Sequence, residues 1–459
     1  MTPFATIQDI KILLVVHQFF PDHGAGTEVL TLSVARELLA RGYDVRVFTG
    51  HPSSTDLSEA MRFDEYDYEG IPIYRFHHAY TPMFGQTSIM ELSFDNHLAA
   101  HHFDKVLMHF QPDWVHFFHL HHLGIGLIDS TFKAGVPAFM TPTDFWGVCA
   151  TGQLVLCNGG LCSGPTAFAG NCVKHIAESR QKGFKSMIAA KIPVSCIEFL
   201  ARLTLRYRLN YPYSAEILAT SKRLQQAMSR LNRLTKIVSP NSFMSENLVK
   251  HGLKSELIIE AAFGIDQVQN VEIASRQITR NPLRIGFIGT FVKDKGCHVL
   301  IEAFHALPVG SAILNIYGKA EKFPEYASQL KRLARNSEAI TFCGTFPNAK
   351  INEVLADLDV LVVPSLWYEN TPLVVYSAQA ARCPVIASDF PGLSEVIQDQ
   401  VNGLLFPPGN VIALTKLLRR FIDEPDIARQ LSAGSIMPKQ TSEYVDELLA
   451  IWQASGNSV

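Results

Sequence analysis

A short loop in the second half of the chain places two cations directly after an apolar run. Leu283 to Ile288 has the composition of a buried parallel strand, and Lys293 and Lys295 follow it closely. In doubly wound α/β sheets, ligands bind outside the carboxyl ends of the strands. A lysine at such a position acts as a compact positive charge for a phosphate group. We therefore expect these lysines to hold a diphosphate, rather than to be two solvated lysines in a turn.

A second loop combines a carboxylate with the start of a helix. It follows the apolar run Val360 to Val363 and contains Glu369. Thr371 fits the N-cap and Pro372 the first helical position, which leaves the next backbone amides free to hold an anion. The residues assigned to this turn are Asn370, Thr371, Pro372, Leu373 and Val374. We expect the helix to run to about Arg382.

The chemistry of Glu369 suits a sugar. A carboxylate just outside a helix can accept hydrogen bonds from sugar hydroxyls or offset positive charge that develops at an anomeric carbon. Together with the lysines, it predicts a site for a sugar linked to a diphosphate. The alternative is a capped helix with a surface glutamate, which we consider weaker because carboxylate, cap and helix start coincide.

The first half of the chain opens with a βαβ pattern that would carry similar loops. Ile10 to Val16 is a predicted strand, Glu28 to Arg41 a helix, and Tyr43 to Phe48 the next strand. Further strands are predicted at Ile73 to Phe76, Trp114 to Phe118 and Ala138 to Met140. The fold class is therefore α/β, with mostly parallel sheets covered by helices on both faces.

A chain of 459 residues is too long for one ordinary core, so we expect two Rossmann-like domains. We place the N-terminal domain at 1–215 and the second domain at 216–420. Terminal helices fill 421–459. Within the first domain, 149–172 is an irregular Cys-rich loop and 180–208 a basic helical segment.

Composition excludes several classes of protein. The formal net charge of -3 argues against a nucleic-acid partner, because no overall basic field would attract phosphate backbones. No stretch shows a secretory signature or reaches the roughly 20 apolar residues of a membrane span. Eight cysteines in a chain of this size do not indicate a disulfide framework. We expect a cytoplasmic protein.

Several stretches resemble the retaining glycosyltransferases of family 4, which have the GT-B fold of two Rossmann-like domains facing a cleft. The stretches are Pro364-Ser365 with Glu369, Ala380 to Asp389, Gly392 to Val396, Asn402 to Leu405, Pro21 to Glu28 and Thr143 to Cys149. The resemblance covers nearly the whole chain. It is weakest at 50–110 and 173–212.

The resemblance implies a nucleotide-sugar donor held mainly by the C-terminal domain and a glycan or lipid-linked acceptor held mainly by the N-terminal one. Glu369 would orient the sugar, and Lys295 with the helix amides would neutralise the departing diphosphate without a divalent metal or other cofactor. The anomeric configuration would be retained. Gly24 and Gly26 would let the backbone approach the donor phosphate and the acceptor. The last helix would cross back to the first domain.

On the acceptor side, the resemblance assigns Asp144, flanked by Thr143 and Trp146. Three positions depart from the family pattern. Ser377 stands where a second glutamate usually contacts the ribose, Thr290 where an arginine opens the phosphate loop, and Thr143 where a histidine precedes the aspartate. These departures leave two hypotheses open, namely an active hexosyltransferase and a catalytically silent relative that binds a nucleotide sugar or a partner transferase.

Other residues with metal-binding chemistry have simpler interpretations. Asp357-Leu358-Asp359 imitates a metal-binding motif but lies at a predicted helix-to-strand junction, where a capping or turn role is expected. Zinc or a redox pair is an alternative for the cysteines of the irregular loop, although their gaps are longer than usual for zinc and unpaired thiols are favoured. The cysteines concerned are Cys149, Cys157, Cys162 and Cys172. Eight histidines between His97 and His122 predict a polar lining of the acceptor site or a plain surface.

The basic segment 180–208 has two interpretations of equal weight. Its interleaved basic and apolar residues suit the surface of an anionic membrane, at the inner face of which a lipid-linked acceptor would be met. The same pattern also suits a solvated helix that packs on the first domain. A nicotinamide dehydrogenase is excluded, because the Gly24 loop lacks a third glycine and the following strand ends at Thr49-Gly50 without an acidic residue.

Overall fold

Parallel β-strands form two separate sheets in this protein. The computed structural model describes residues 10–180, 191–266, 282–321, 323–335, 337–424 and 426–456. The chain divides into two compact units, of which the first comprises 1–262 with 441–459 and the second 263–440. Each unit is built around one of the sheets.

The first sheet has eight strands. They are β1 (Lys11–Val16), β2 (Asp44–Pro52), β3 (Phe63–Tyr68), β4 (Ile71–His78), β5 (Trp114–Phe117), β6 (Ala138–Met140), β7 (Lys236–Ser239) and β8 (Ile258–Glu260). Their spatial order is β3-β4-β2-β1-β5-β6-β7-β8, and every pair is parallel except β3 with β4. The strand order reverses between β1 and β5, so the loops that follow these two strands are neighbours.

Helices of the first unit connect and follow these strands. They are α1 (Gly26–Ala40), α2 (Ile89–Phe94), α3 (His97–Phe110), α4 (Gly126–Ala134), α5 (Gly170–Arg180), α6 (Val194–Tyr207), α7 (Ser214–Leu231) and α8 (Ser242–Lys250). The C-terminal helix of the chain, Thr441–Gly456, also packs in this unit. Its Tyr444 and Trp452 are fully buried.

The second sheet has six strands, all parallel. They are β9 (Leu283–Ile288), β10 (Ala312–Tyr317), β11 (Ile340–Gly344), β12 (Val360–Val363), β13 (Val385–Ser388) and β14 (Gly403–Phe406). Their order is β11-β10-β9-β12-β13-β14, which reverses between β9 and β12. The helices of this unit are α9 (Cys297–His305), α10 (Pro324–Ala334), α11 (Ile351–Ala356), α12 (Leu373–Ala380), α13 (Pro391–Ser394), α14 (Val411–Asp423) and α15 (Asp426–Ala433). We name the C-terminal helix Thr441–Gly456 α16.

Central strands are apolar along their whole length because both faces of a doubly wound sheet are covered. In β1 every residue after Lys11 is buried, and all four residues of β12 are buried. The second unit contains two separate apolar cores. One includes Ile285 and Leu314, and the other includes Leu361 and Val375. The predicted α/β class with two doubly wound sheets is confirmed.

The boundary between the units differs from the predicted one at residue 216. Helix α7 belongs to the first unit, and strands β7 and β8 extend the first sheet beyond β6 through pairs such as Met140 with Ile237. A strand–helix repeat has the same sequence pattern whichever sheet its strand joins. The pattern therefore did not show that these elements belong to the first unit. The second unit also continues past 420 to Gln440, because Ile427 and Leu431 of α15 bury against its core.

Candidate donor site and acceptor side

The loops that follow β9 and β12 are joined to each other in the second unit. The two strands are paired, and the Leu366 amide donates a hydrogen bond to the Asp294 carbonyl at 2.7 Å. Gly296 has a φ of +68°, and a Cβ there would lie 1.8 Å from the Pro364 carbonyl oxygen. A glycine is therefore required for this close approach. The backbone of both predicted ligand loops is fixed at the switch point of the sheet.

Glu369 is the centre of the contacts that these loops make. Its side chain is buried, and its Oε1 accepts hydrogen bonds from Lys295 Nζ at 2.6 Å and from Ser365 Oγ at 2.6 Å. The Trp367 indole N–H donates to the same oxygen at 2.9 Å. Three donors, one of them charged, compensate a carboxylate taken out of water. In the part of the chain that the structure describes, Oε2 receives no hydrogen bond and remains available for a hydroxyl group.

Lys295 is oriented for further contacts. Its ammonium lies 5.2 Å from the centre of the Trp367 ring and its side chain is 26% exposed. An ammonium carries three donors, and Glu369 uses one of them. Lys293 begins the same 3-10 helix and is exposed. The structure therefore brings Lys295 together with Glu369 and leaves Lys293 at the surface.

The turn into helix α12 differs by one residue from the predicted one. Pro372, not Thr371, is the N-cap, and Leu373 is the first helical residue. Thr371 instead has a left-handed φ of 56°, and its hydroxyl donates to the Gly392 carbonyl at 3.3 Å. Such a conformation is unfavourable for a β-branched residue, so the surroundings must impose it. Gly392 contributes, because a Cβ there would lie 1.7 Å from the Glu369 carbonyl oxygen.

The first turn of α12 offers backbone donors beside the carboxylate. The amides of Leu373 and Val374 lie in the first turn of α12, where no carbonyl of the helix can accept their hydrogen bonds. The Val375 amide, in contrast, donates to the Pro372 carbonyl at 2.9 Å. An anion is the usual partner of such amides. The helix ends at Ala380 rather than at the predicted Arg382, which has a left-handed φ of 50°.

Two of the positions that depart from the family pattern are engaged by the backbone. The Ser377 hydroxyl donates to the Leu373 carbonyl one turn earlier, at 3.1 Å. The Thr290 carbonyl accepts from the Val292 amide at 2.8 Å. Asn370 is buried between Glu369 and the helix. The Ser377 hydroxyl is therefore used within its own helix, and Thr290 closes a tight turn after β9.

In the first unit, the glycine loop leads into helix α1. A Cβ at Gly24 would lie 2.8 Å from a Phe20 ring atom, whereas a Cβ at Gly26 would meet nothing within 4 Å among the described residues. Gly26 thus leaves open space at the start of the helix. Glu28 is buried and its Oε2 accepts from the Ala25 amide at 2.8 Å, which caps the helix. Burial raises the pKa of Glu28.

The predicted acceptor-side residues meet this loop within the same unit. The Thr27 hydroxyl donates to Thr143 Oγ1 at 2.9 Å. Asp144 Oδ1 accepts from the Trp146 amide at 2.7 Å, and its Oδ2 lies 2.9 Å from His119 Nε2. Trp146 itself is buried and packs on Arg223. Asp144 and Thr143 are therefore accessible polar groups, while Trp146 supports them from below.

A cluster of imidazoles lies at the carboxyl ends of β1, β4 and β5. The ring centres of His17 and His119 are 4.2 Å apart, those of His78 and His122 4.1 Å, and those of His121 and His122 3.8 Å. Burial lowers the pKa of His78 to about 2. The pKa of His17 is held well below its ordinary value, mainly by burial and to a smaller extent by the neighbouring imidazoles. His17 and His78 are therefore neutral near pH 7, when each ring can donate and accept.

The tautomer of His119 follows from its contacts. Its Nδ1 accepts from the His121 amide at 3.1 Å, so the ring proton lies on Nε2 and points at Asp144. Sequence reasoning missed this pair, although His119 follows a buried strand at the point where the strand order reverses. It named Ser365 only as part of the family motif and missed Trp367. The alternate spacing of these two residues before Glu369 was the available signal for their contacts with it.

The cysteines of the irregular loop line a cavity. Cys149, Cys162 and Cys172 line this small, half-open pocket together with His175, while Cys157 is exposed. Burial raises the pKa of Cys172 to about 12, so its thiol is protonated. No disulfide joins any of the eight cysteines, all of which lie in the described part of the chain. Among the described residues, no three His, Cys, Asp or Glu side chains are arranged to hold a metal ion.

Asp359 has a structural partner. Its carboxylate accepts from the Arg284 guanidinium at 2.7 Å and from the Arg284 amide at 2.7 Å, and it is 5% exposed. The contact joins β12 to β9 at the start of the strands, the end of the sheet opposite the ligand loops. Within the Asp357-Leu358-Asp359 motif, Asp359 therefore holds the start of β12 to β9 through Arg284.

Comparison with known proteins places the chain in a family. Residues 25–178 match the model of a glycosyl transferase 4-like domain, and residues 268–436 match the model of glycosyl transferases group 1. The two matches together span most of the chain. The protein therefore belongs to the group 1 glycosyl transferases, as the resemblance in its sequence predicted.

Individual relatives are distant. The amylovoran biosynthesis glycosyltransferase AmsK of Erwinia amylovora is 28% identical over 183 residues, which are 38% of this chain and 44% of AmsK. Protein CapJ of Staphylococcus aureus is 26% identical over 254 residues, which are 51% of this chain and 62% of CapJ. The chain thus spans less than two thirds of the length of these relatives.

Solved structures share the fold along nearly the whole chain. Anabaena Alr3699/HepE, crystallised in complex with UDP and glucose, matches with a TM-score of 0.59 at 15% identity and covers 98% of this chain and 99% of its own. Sucrose-phosphate synthase from Thermosynechococcus elongatus matches with a TM-score of 0.60 at 16% identity, covering 98% of each chain. The protein has the GT-B fold.

Proposed function

We propose that the protein is a retaining hexosyltransferase. It moves a hexose from a nucleoside-diphosphate sugar to a hydroxyl group of a glycan or lipid-linked acceptor, of the kind found in surface polysaccharides or lipopolysaccharides. One observation carries the proposal, namely the 2.6 Å contact between Lys295 and Glu369 at the switch point of the second sheet. It puts a cation for phosphate and a carboxylate for sugar on adjacent loops.

The diphosphate binds through charge and backbone donors. Two of the three Lys295 ammonium donors remain for phosphate oxygens, and the amides of Leu373 and Val374 add the positive end of α12. These groups stabilise the negative charge that appears on the nucleoside diphosphate as it leaves. We further propose that transfer needs no divalent metal, because this charge is met by Lys295 and the helix. Thr290 and Ser377 lie on the nucleotide side.

The sugar binds through Glu369. Its Oε1 is held by Lys295, Ser365 and Trp367, so the carboxylate keeps one orientation and presents Oε2 to sugar hydroxyls. The negative charge also offsets the oxocarbenium-like charge of the transition state. In the step itself the bond from the anomeric carbon to the phosphate oxygen breaks, and a bond to the acceptor oxygen forms on the same face. The acceptor proton passes to the leaving phosphate.

The acceptor binds to the first unit. Asp144 is held by His119 and by the Trp146 amide and accepts a hydrogen bond from an acceptor hydroxyl. Thr143 and the open space at Gly26 lie beside it. The name of AmsK, an amylovoran biosynthesis glycosyltransferase, favours a glycan acceptor, and the UDP and glucose in the structure of Alr3699/HepE favour a nucleotide-sugar donor. A lipid-linked glycan would place the enzyme at the inner face of the membrane, although no described helix has the length and apolar character to cross a bilayer.

A catalytically silent relative is the second hypothesis. The observation that favours it is Ser377, whose hydroxyl is bonded to the Leu373 carbonyl and supplies no carboxylate for a ribose. Such a protein would bind a nucleotide sugar without turning it over. The retained contact of Lys295 with Glu369 favours the active enzyme.

Turnover with water as the acceptor separates the two hypotheses. The purified protein is incubated in EDTA with UDP-, GDP- and ADP-hexoses, and ¹H NMR follows the first-formed anomer of the released sugar. We expect slow release from one donor with the donor's own anomeric configuration. An inverted first product would refute the retaining mechanism. Binding of a nucleotide sugar without any release, also when membrane extract supplies the acceptor, would establish the silent protein.

A further inference from the structure

Helix α6 of the first unit exposes an unusually apolar outer face. Its inner face buries Ala201 and Thr204, while Phe199 is 61% and Tyr207 60% exposed. Leu200 is also exposed. Large apolar side chains on one helix face indicate a surface that contacts something other than water.

The helical period gathers these side chains into a stripe with a basic edge. Phe199, Leu203 and Tyr207 follow one another at intervals of four residues, so they lie along one line of the helix surface. Arg202 and Arg206 lie beside that line on one side, three residues after Phe199 and Leu203 respectively. The exposed arc therefore has an apolar half and a cationic half. We call it the α6 surface.

The single acidic residue of this stretch points away from the α6 surface. Between residues 191 and 210, Glu198 is the only carboxylate. Its oxygens accept from the amides of Phe168 and Gly170, at 2.6 Å each, and from the Thr166 hydroxyl at 2.6 Å. Its charge is thus used to hold the loop before α5, and the α6 surface keeps its positive charge in a chain whose net charge is -3.

A second exposed phenylalanine lies beside an arginine whose charge is neutralised by a carboxylate. Phe132 of α4 is 62% exposed and packs against Arg233, but that guanidinium is paired with Asp129 at 2.7 Å. In the described part of the chain, no carboxylate lies within ion-pair distance of Arg202 or Arg206. Exposed aromatic groups beside unpaired arginines are therefore a property of the α6 surface.

We propose that the α6 surface docks the protein on an anionic lipid bilayer. Phenylalanine and tyrosine favour the region between headgroups and acyl chains, where the arginine side chains extend to lipid phosphates. Basic residues gain from the negative potential of such a membrane. A second copy of the chain fits less well, because a twofold contact through the same patch would set arginines against arginines. The inference extends the proposed function, since a lipid-linked acceptor would be met at that bilayer.

Vesicle sedimentation tests the proposal with the full-length protein. The vesicles are phosphatidylcholine alone and phosphatidylcholine mixed with phosphatidylglycerol. We compare the unmodified protein with the double variants Phe199→Ala/Tyr207→Ala and Arg202→Glu/Arg206→Glu. Phe132→Ala is the matched control, with the same residue type and nearly the same exposure on another helix. Far-UV circular dichroism of each variant verifies that it is folded.

We expect the unmodified protein and Phe132→Ala to sediment with the mixed vesicles and not with phosphatidylcholine alone. Each double variant should lower the partition onto mixed vesicles by about tenfold or more. Equal partition of the double variants and the control, or no partition of the unmodified protein, would refute the proposal. A dimer in the absence of lipid that Phe199→Ala/Tyr207→Ala dissociates, without vesicle binding, would identify a second copy as the occupant and refute it too.

The outcome is separate from that of the proposed function. Vesicle binding requires neither a donor nor turnover. Vesicle binding by a protein that binds no nucleotide would leave the α6 surface proposal standing and remove the transferase. Donor turnover by a protein that does not bind vesicles would support the transferase and refute the α6 surface proposal.

Discussion

At the scale of single residues, Glu369 and Lys295 form one unit, in which each side chain fixes the other. A buried carboxylate requires donors, and a lysine next to it is held in one direction. The same pairing orients the ammonium for phosphate and the carboxylate for sugar. Their roles nevertheless differ, because phosphate binding is present before and after the reaction while sugar charge develops only during it.

Glu369→Gln should lower turnover much more than nucleotide affinity. The amide keeps the size of the side chain but removes the charge that offsets the oxocarbenium-like transition state. We expect a loss of about 10²–10³ in kcat, the range for removal of one preorganised electrostatic group, with less than about tenfold change in the Kd of the nucleotide. Steady-state kinetics and calorimetry measure the two quantities. Equal losses in both would make Glu369 a binding residue only.

Lys295→Ala should weaken binding of the nucleoside diphosphate by about 1.5–3 kcal/mol, the range for a hydrogen bond to a charged group. Lys293→Ala is the matched control, because it removes the same charge from the same 3-10 helix at an exposed position. Calorimetric titration should show a Kd close to that of the unmodified protein for the control. An unchanged Kd in Lys295→Ala, or equal losses in both variants, would remove the assigned role.

Residue types in the loops after β9 and β12 were sufficient to predict a site there. They did not reveal which lysine meets Glu369, since Lys293 and Lys295 are chemically equal and differ only in the direction that the 3-10 helix gives them. The choice of Lys295 came from the resemblance to the family. Trp367 was missed for the same reason. Its indole N–H becomes a donor to Glu369 only because the loop turns back on itself.

At the scale of elements, the donor site depends on two glycines that let separate loops touch. Gly296 accommodates the Pro364 carbonyl and Gly392 the Glu369 carbonyl. Neither contact involves a side chain, so substitution would act by displacing backbone. The loops after β9, β12 and β13 therefore form one structural element with the start of α12.

Gly296→Ala should destabilise the second unit more than Gly310→Ala. Both positions have a left-handed φ, +68° and +80°, which costs an alanine about 1–2 kcal/mol. Only at Gly296 would the new Cβ overlap a backbone atom, which adds about 1–3 kcal/mol of overpacking. Urea denaturation measures both free energies of unfolding. Equal losses would show that the contact with Pro364 relaxes freely and does not hold the two loops.

Strands that are apolar throughout were predicted correctly. Elements that are half exposed, or whose ends are fixed by tertiary contacts, were missed or misplaced. Ala138–Met140, Leu283–Ile288 and Val360–Val363 were predicted with the observed bounds. The antiparallel edge strand Phe63–Tyr68 was missed, because its alternating and charged sequence is that of a half-exposed strand. The start of α12 was misplaced by one residue, since the φ of Thr371 is imposed by tertiary contacts.

At the scale of the whole molecule, the C-terminal helix α16 is tied to the first sheet by a buried polar chain. The Trp452 indole N–H donates to His116 Nδ1 at 3.2 Å, and His116 Nε2 lies 2.9 Å from Thr141 Oγ1. Thr141 in turn bonds the Tyr444 hydroxyl at 3.0 Å. The acceptor nitrogen on His116 exists only while the imidazole is neutral.

Acid should therefore weaken the first unit. Burial lowers the pKa of His116 to about 3, below the ordinary value near 6.5 of the unfolded chain. Between these values the unfolded state binds the extra proton, so stability is full above about pH 6.5 and falls as the pH decreases towards 3. The share of His116 between pH 7.5 and 5.5 is about 1.4 kcal/mol of unfolding free energy.

His116→Gln tests this contribution by its pH dependence rather than by its absolute stability. Urea denaturation at pH 7.5 and 5.5 should show a smaller acid loss in the variant than in the unmodified protein, by about 1.4 kcal/mol. His109→Gln on the exposed face of α3 is the control. The same acid loss in His116→Gln as in the unmodified protein would show that His116 is not held neutral.

The division into units was the least predictable feature at this scale. Local periodicity predicts strands and helices but not partners, so the segment that contains β7 and β8 was placed in the second domain, whereas both strands extend the first sheet. Only long-range pairing, such as Phe139 with Lys236, decides their place.

The most direct test of the donor site is calorimetric titration of the unmodified protein with UDP, GDP, ADP and their hexose conjugates in the presence of EDTA. We predict saturable binding of one nucleoside diphosphate and its sugar, without added metal and with loss of affinity in Lys295→Ala. That result would identify the base. Absence of binding by all of them, or binding that appears only when a divalent metal replaces EDTA, would contradict a site in which Lys295 and the start of α12 hold the diphosphate.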